Sequence, residues 1–337
     1  MTPLSYSLPG FGLRAFEGVD ASLEELRSLG FRHVTFTPTF LAVDEVPLRI
    51  DLARSPRIDA IARARENAKA MGLMVRMEPH LDWESTLTGG TYEWRRRMYF
   101  DPSARYWEAL LEPLLGMQPE ELTLGSELDA AWVAFYREWQ QVRERVQDSG
   151  VAAGHKLNHD ALEADEELLK LINAERARSG EASWTMQDFG AARVGAAAYL
   201  AKLDYVSFSF YPSVEGSAFA REFGRALERL EAGMRAASGF DADLVVGEFG
   251  VGSSDMTRPW HFDRSTFFDD GGGLRVDVME KRRAFYRGWL EALRDTNYRR
   301  AACFWTVDQY DFLGIHSHTF ADDALREEVR QYNESSS

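Results

Sequence analysis

Residues 205–249 read Tyr205-Val206-Ser207-Phe208-Ser209-Phe210-Tyr211-Pro212, then an amphipathic stretch from Ala218 to Ala237, then Leu244-Val245-Val246-Gly247-Glu248-Phe249. Two short apolar runs on either side of a helix-length segment predict parallel strands joined by a crossover helix. The same alternation extends in both directions along the chain. Strands are expected over 10–14, 33–39, 73–79, 121–125, 156–159, 205–211, 244–249 and 301–307, and helices over 22–29, 55–71, 103–115, 130–148, 191–203, 218–237, 279–294 and 322–332. Ser22 with Glu25 three residues on makes a capping-box pattern. Ser55-Pro56 before one helix and Gly72 after it follow the Pro-first, Gly-last asymmetry of helix ends. Strands and helices alternating without a linker predict the α/β class and a (β/α)8 TIM barrel. It forms a single domain over 1–334, with a disordered tail at 335–337. Gly10-Phe11-Gly12 carries no more of the dinucleotide fingerprint, which argues against a doubly wound sheet. Long segments at 82–101 and 250–278 follow strands three and seven, on the face where barrel enzymes hold their sites.

The 337 residues carry 39 Lys and Arg against 54 Asp and Glu, a net charge of −15. That balance opposes binding to nucleic acid or to an anionic membrane, both of which call for a basic face. A hydrophobic fraction of 45% with 12% aromatics excludes disorder. No apolar stretch approaches the ~20 residues of a membrane span. Met1 to Tyr6 lacks the basic and apolar regions of an export signal, so a cytoplasmic protein is expected, as a monomer or weak homodimer. The single cysteine, Cys303, lies in an apolar run and reads as a buried hydrophobe. It can form neither an intramolecular disulfide nor a Cys-based zinc site. His155 with His159, and His316 with His318, have spacings that can ligate. However, strand one ends in Leu13-Arg14 rather than the His-x-His of barrel metallohydrolases, so no metal and no cofactor are expected. A Gly-x-Ser-x-Gly elbow, a P-loop and a lysine at the end of strand six are all missing.

Strand packing asks for no charge at the carboxyl ends of barrel strands, so the acids there are informative. Glu127 follows Leu122-Thr123-Leu124-Gly125-Ser126 on strand four, and Glu248 follows Leu244-Val245-Val246-Gly247 on strand seven. In each case the glycine leaves room for the carboxylate to turn into the barrel mouth. Such a pair suits glycoside hydrolysis, with one acid for the leaving oxygen and one carboxylate on the other face of the sugar. The alternative is two structural ion pairs with arginine. Tyr211, locked by Pro212, could donate to a carboxylate or be a rim aromatic. Trp305 could be a platform for a sugar ring or a core residue. His80 ends strand three and could bond a sugar hydroxyl. Glu78 points the same way but deeper, where it needs a partner such as Arg76 or Lys156.

The strand-four Glu, strand-six Tyr-Pro, strand-seven Gly-Glu and strand-eight Phe-Trp together resemble clan A, the retaining β-glycosidases built on (β/α)8 barrels. Within it, Glu78-Pro79-His80 followed by Trp94-Arg95 resembles glycoside hydrolase family 113, which carries Lys-Pro-His and a downstream Trp-Arg. Gly125-Ser126-Glu127-Leu128 and Gly247-Glu248-Phe249-Gly250 resemble that family's acid/base and nucleophile motifs. The resemblance implies an endo-β-1,4-mannanase acting on mannan or manno-oligosaccharides with retention and without a cofactor. It makes Glu127 the acid/base and Glu248 the nucleophile. Tyr211 would then bond Glu248, Trp305 would floor the −1 subsite, and His80 and Trp94 would contact sugar. Ser126, Asn158 and Asp308, also at strand ends, complete the expected substrate-contacting set, with Trp83 and Trp260 as further platforms in the long loops. Two positions depart from the pattern. Ser126 stands where the clan carries Asn for the 2-hydroxyl, and Glu78 stands where the family carries Lys. A retaining β-mannosidase, β-glucosidase, β-glucanase or transglycosylase shares these residues, and a non-catalytic carbohydrate-binding barrel is the other alternative.

Overall fold

Every residue of Glu121–Ser126 and of Tyr205–Ser209 is buried, as expected of strands covered on both faces. A computed structural model describes residues 1–45, 48–83, 98–214, 218–238, 242–259, 263–270, 272–273, 275–296, 298–305, 313, 315 and 322–335. In it, eight parallel strands form a nearly closed barrel. They are β1 (Leu4–Phe11), β2 (His33–Glu45), β3 (Met74–Met77), β4 (Glu121–Ser126), β5 (Ala152–Asn158), β6 (Tyr205–Ser209), β7 (Asp243–Glu248) and β8 (Ala302–Phe304). β8 pairs with β1, and a Phe249–Phe304 bridge with Trp305 N donating to Phe249 O at 2.8 Å draws β7 to β8. Helices form the outer layer. Phe223, Phe285 and Trp289, from Phe219–Ser238 and Val276–Arg294, pack around Phe249, whose ring lies 4.0 Å from Trp289.

β1 begins six residues before the predicted 10–14. Its Leu-Ser-Tyr-Ser-Leu alternation looks half exposed, yet both faces are buried because the serines pair inside. Ser5 Oγ bonds Thr35 Oγ1 at 2.9 Å and Ser7 Oγ bonds Thr37 Oγ1 at 3.0 Å. Strand three is split at Pro79, which has no N–H to donate, and resumes as His80–Trp83 along β2. β5 starts four residues ahead of the expected 156, and Ser209 ends β6 two residues before Tyr211. A helix over Asp165–Arg178, unexpected from the sequence, inserts before Met186–Leu200. The expected 130–148 helix breaks at Phe135 into Asp129–Ala134 and Tyr136–Asp148. Neither serine predicted to open a helix does so. The first helix starts at Asp20, and Ser22 Oγ donates to Ile315 O. The second starts at Ile58, and Ser55 Oγ donates to Asp51 O while accepting from Leu41 N. The last helix runs through Ser335, one residue into the segment expected to be a tail. Among the described residues no helix is long and apolar enough to cross a membrane.

The amino-terminal end of the barrel is filled by charge. Arg76 Nε donates to Glu121 Oε2 and Arg300 Nη1 to Glu121 Oε1, both at 2.6 Å, and Arg76 also reaches Ala301 O. Both guanidinium groups lie over the Tyr205 ring, at 5.4 and 5.0 Å, and Tyr205 fills the space left by the missing side chain of Gly154. Burial alone would raise the Glu121 pKa, but Arg76 and Arg300 outweigh it and hold the carboxyl below its ordinary 4.5. A depressed pKa gives stability that is complete above about pH 4.5 and is lost as pH falls through the lowered value. Glu121→Gln should cost about 3 kcal/mol at neutral pH by leaving Arg76 buried with too little opposing charge. Urea unfolding across pH should also show a flatter acid limb for the variant than for the parent.

Candidate active site

Two irregularities in the barrel ladder carry the glutamates. Between β4 and β5 the register runs Thr123–Gly154 and then Ser126–Lys156, so β4 has one residue more than its partner. Between β6 and β7 it runs Phe208–Val246 and then Ser209–Glu248, so β7 has one extra as well. Such a bulge re-aims the side chains after it. Each bulge contains a glycine, and each glycine is enforced by crowding. A Cβ on Gly125 would fall 2.7 Å from the His155 ring, and one on Gly247 would fall 1.9 Å from Ser207 Oγ. Glu248 leaves its bulge pointing into the barrel, fully buried, with Phe249 anchored outward among the helix aromatics. Glu127 is turned inward differently. Its φ is +59°, a left-handed conformation that costs a residue with a Cβ of order 1–3 kcal/mol and clusters at functional sites.

The carboxylates meet around strands five and six. Ser209 Oγ donates to Glu127 Oε1, while the same Ser209 is the register partner of Glu248. Tyr211 OH donates to Glu248 Oε2 at 3.1 Å, as the resemblance implies. Lys156 Nζ donates to Glu248 Oε1, to Glu78 Oε1 at 2.5 Å, and approaches His80 Nε2 at 3.3 Å. Glu78, His80, Lys156 and Glu248 are all fully buried. The imidazole of His80 stacks on Trp305 with ring centroids 5.3 Å apart and planes within 5°, and Lys156 Nζ lies 5.5 Å from the Trp305 ring centre. Burial pushes Glu248 above the usual carboxylate range, to about 7; Lys156 pulls it back, and Glu127 and Glu78 add to the rise. Burial works against the Lys156 ammonium, but Glu248, Glu78 and Glu127 more than offset it and leave its pKa raised.

The structure therefore brings Glu127, Glu248, Tyr211, Trp305 and His80 together. His80 sits within the carboxylate cluster, 3.6 Å from Glu248 Oε1, and has no exposed surface. Ser126 is buried beside Lys156 in register, and its hydroxyl has no hydrogen-bond partner among the described residues. Asn158 is held by Asp129, to which its Nδ2 donates at 2.9 Å. Trp94, Trp260 and Asp308 lie outside the described residues, as does the Trp83 side chain. His155 is separate from the site: it bonds Tyr199 OH at 3.0 Å, and burial pushes its pKa down to about 3. Sequence reasoning gave Lys156 no place in the site beyond a possible partner for Glu78, and it missed Ser209. Both follow from strand parity, since Lys156 shares a face with Gly154 and Asn158, and Ser209 with Tyr205 and Ser207.

Glu78, His80 and Glu248 present donor atoms within 4.8 Å of one another, a spacing that could hold a metal ion. The ammonium of Lys156 already bonds both of these carboxylates. A metal bound there would meet that charge at contact distance, so the donor set fits a lysine and not an ion.

No family model matches the chain, and no curated protein matches it by sequence. Solved structures do. A family GH113 β-1,4-mannanase superposes over 99% of both chains with a TM-score of 0.64 at 14% identity. The GH113 β-mannanase AaManA from Alicyclobacillus acidocaldarius, in complex with ManMIm, matches over 99% of this chain and 97% of its own with a TM-score of 0.60 at 16% identity. The exo-β-1,4-mannosidase Op5Man5 from Opitutaceae bacterium strain TAV5 matches over all of this chain and 60% of its own, with a TM-score of 0.57 at 12% identity. At these identities the likeness is one of fold, and it agrees with the (β/α)8 barrel read from the sequence.

The left-handed backbone at Glu127 has a measurable signature. Glu127→Ala and Glu127→Gly remove the same carboxylate, but glycine tolerates φ near +59° where alanine does not. The glycine variant should unfold at higher denaturant, by about 1 kcal/mol. Equal stabilities would mean that the backbone relaxes once the carboxylate is gone.

Proposed function

We propose that the chain is a retaining β-glycoside hydrolase, an endo-β-1,4-mannanase acting on mannan or manno-oligosaccharides by double displacement. The observation that carries this reading is the convergence of two bulge-mounted glutamates on Ser209, one of them bonded to Tyr211 and Lys156. The fold shared with GH113 mannanases supports the choice of sugar.

In the first step a Glu248 carboxylate oxygen attacks the anomeric carbon, the bond to the leaving oxygen breaks, and Glu127 gives that oxygen its proton. In the second, Glu127 takes a proton from water as the water oxygen attacks the same carbon, and Glu248 leaves as carboxylate. Two inversions give net retention. Tyr211 and Lys156 hold the nucleophile by one oxygen each, which fixes its plane toward the sugar. The buried hydroxyl of Ser126 is the group available for the sugar 2-hydroxyl, in the place where the clan carries Asn. Trp305, backed by His80, offers its indole beneath the ring.

Glu248→Ala should abolish turnover, and azide should restore it on activated aryl β-mannosides with inverted product. Glu127→Ala should lose about 10²–10⁴-fold on substrates with poor leaving groups and much less on good ones. Mannohexaose compared with cellohexaose distinguishes mannanase from glucanase, and product size over time distinguishes endo from exo action. Oligosaccharide binding without cleavage would replace the enzyme by a binding barrel. Because the nucleophile must be ionised, kcat/KM should fall as the pH drops through about 7.

A further inference from the structure

The buried cluster around Lys156 holds more negative charge than one lysine needs. Its ammonium donates to Glu248 Oε1 and to Glu78 Oε1 and lies 3.3 Å from His80 Nε2. His80 Nε2 also lies 3.4 Å from Glu78 Oε1 and 3.6 Å from Glu248 Oε1, so the imidazole belongs to the same cluster. The lysine stem runs over Gly247, with Cδ 3.4 Å from where a Cβ would stand, so the bulge that aims Glu248 also admits its counter-ion. Two buried carboxylates on one buried ammonium are a costly way to stabilise a fold, since a single pair already struggles against desolvation.

Glu248, however, does not keep its charge through a double displacement. Before attack Glu248 must be a carboxylate to act as the nucleophile, and it shares the Lys156 ammonium with Glu78. Once the Glu248 oxygen is esterified to the anomeric carbon its charge is gone. Lys156 would then have lost one of the two carboxylates it bonds, leaving Glu78 as the one still bonded to it and Glu127 acting from farther off. We infer that Lys156 is the positioning residue that keeps Glu248 ionised and oriented, and that Glu78 neutralises Lys156 while Glu248 is esterified. The inference rests on the mechanism proposed above, with the water and proton steps unchanged. The titratable groups facing Glu248 are Lys156 of β5, Glu78 and His80 of the strand-three segment, Glu127 after β4 and Tyr211 after β6.

Two substitutions separate this arrangement from a merely structural ion pair. Lys156→Met removes the cation, so the pH at which Glu248 ionises should rise by about 1–3 pH units. Glu78→Gln leaves the whole ammonium to Glu248, so that pH should fall, by about 1 pH unit. Carboxyl-carbon NMR of glutamate-labelled protein reads the titration without requiring turnover, and the Glu248 resonance is assigned by its loss in Glu248→Gln. Opposite movement in the two variants is the expected result; no movement, or movement in one direction, overturns the inference. Should Lys156→Met fail to fold, the Glu78→Gln titration decides the matter alone. The second role has its own readout. At a pH where Glu248 is fully ionised, labelling by a 2-deoxy-2-fluoro-β-mannosyl fluoride should be at least tenfold slower in Glu78→Gln, and unchanged labelling overturns the part assigned to Glu78. A parent protein with no glycosidase activity would remove the proposed function, while the titrations would still report on whether Lys156 holds Glu248 ionised.

Discussion

One ammonium inside the barrel mouth organises the site. Lys156 is the point at which three strands are tied by side chains rather than backbone: its own strand, the segment carrying Glu78 and His80, and the strand ending at Glu248. A buried charge of this kind is tolerated only when its partners are fixed, because desolvation is repaid by geometry and by little else. The surrounding features read as provisions for that geometry. Gly247 opens a lane for the lysine stem, Trp305 gives its ring face to the cation, and Tyr211 holds the remaining oxygen of Glu248.

The glutamates reach this centre by breaking the rule of alternation that builds the barrel. Regular pleating assigns Val246 and Glu248 to the same face, and Val246 belongs to the apolar core. The extra residue in β7 separates them, sending one outward and the other in. At β4 an extra residue and a left-handed turn at Glu127 achieve the same end. Phe249 then pins the exit of β7 between Phe285 and Trp289, so that a local irregularity is held by a rigid exterior.

Much of this was legible from the chain. The order of strands and helices and the two Gly-containing motifs ending in Glu were visible as pattern, because the barrel repeats a unit with its own periodicity and because acids at strand ends have no packing excuse. Bulges were not legible: register belongs to a pair of strands, and each strand alone reads as regular. The first strand is expected at 10–14 and not at Leu4–Phe11, because Ser5 and Ser7 are polar residues whose burial depends on hydroxyl pairing with Thr35 and Thr37, partners that only the fold supplies. The Asp165–Arg178 helix was missed because few of its residues face the core, although its acidic first turn and basic last turn complement the helix dipole. Lys156 was read as the start of a strand, where a charge is unremarkable, when it lies near the strand's carboxyl end. There it supplies the cation that the resembled family carries at the position of Glu78.

The charged floor of the barrel has a consequence for traffic. Arg76, Glu121, Arg300 and Tyr205 fill the amino-terminal end, making the barrel a blind cup among the described residues. Among the described residues, the proposed substrate, its departing fragment and water would then share the opening at the other end. In a double displacement, the water that frees the sugar enters through space the first product has just vacated. Under the proposed mechanism, release of that product would gate hydrolysis, and a second sugar arriving sooner than water would be joined to the first.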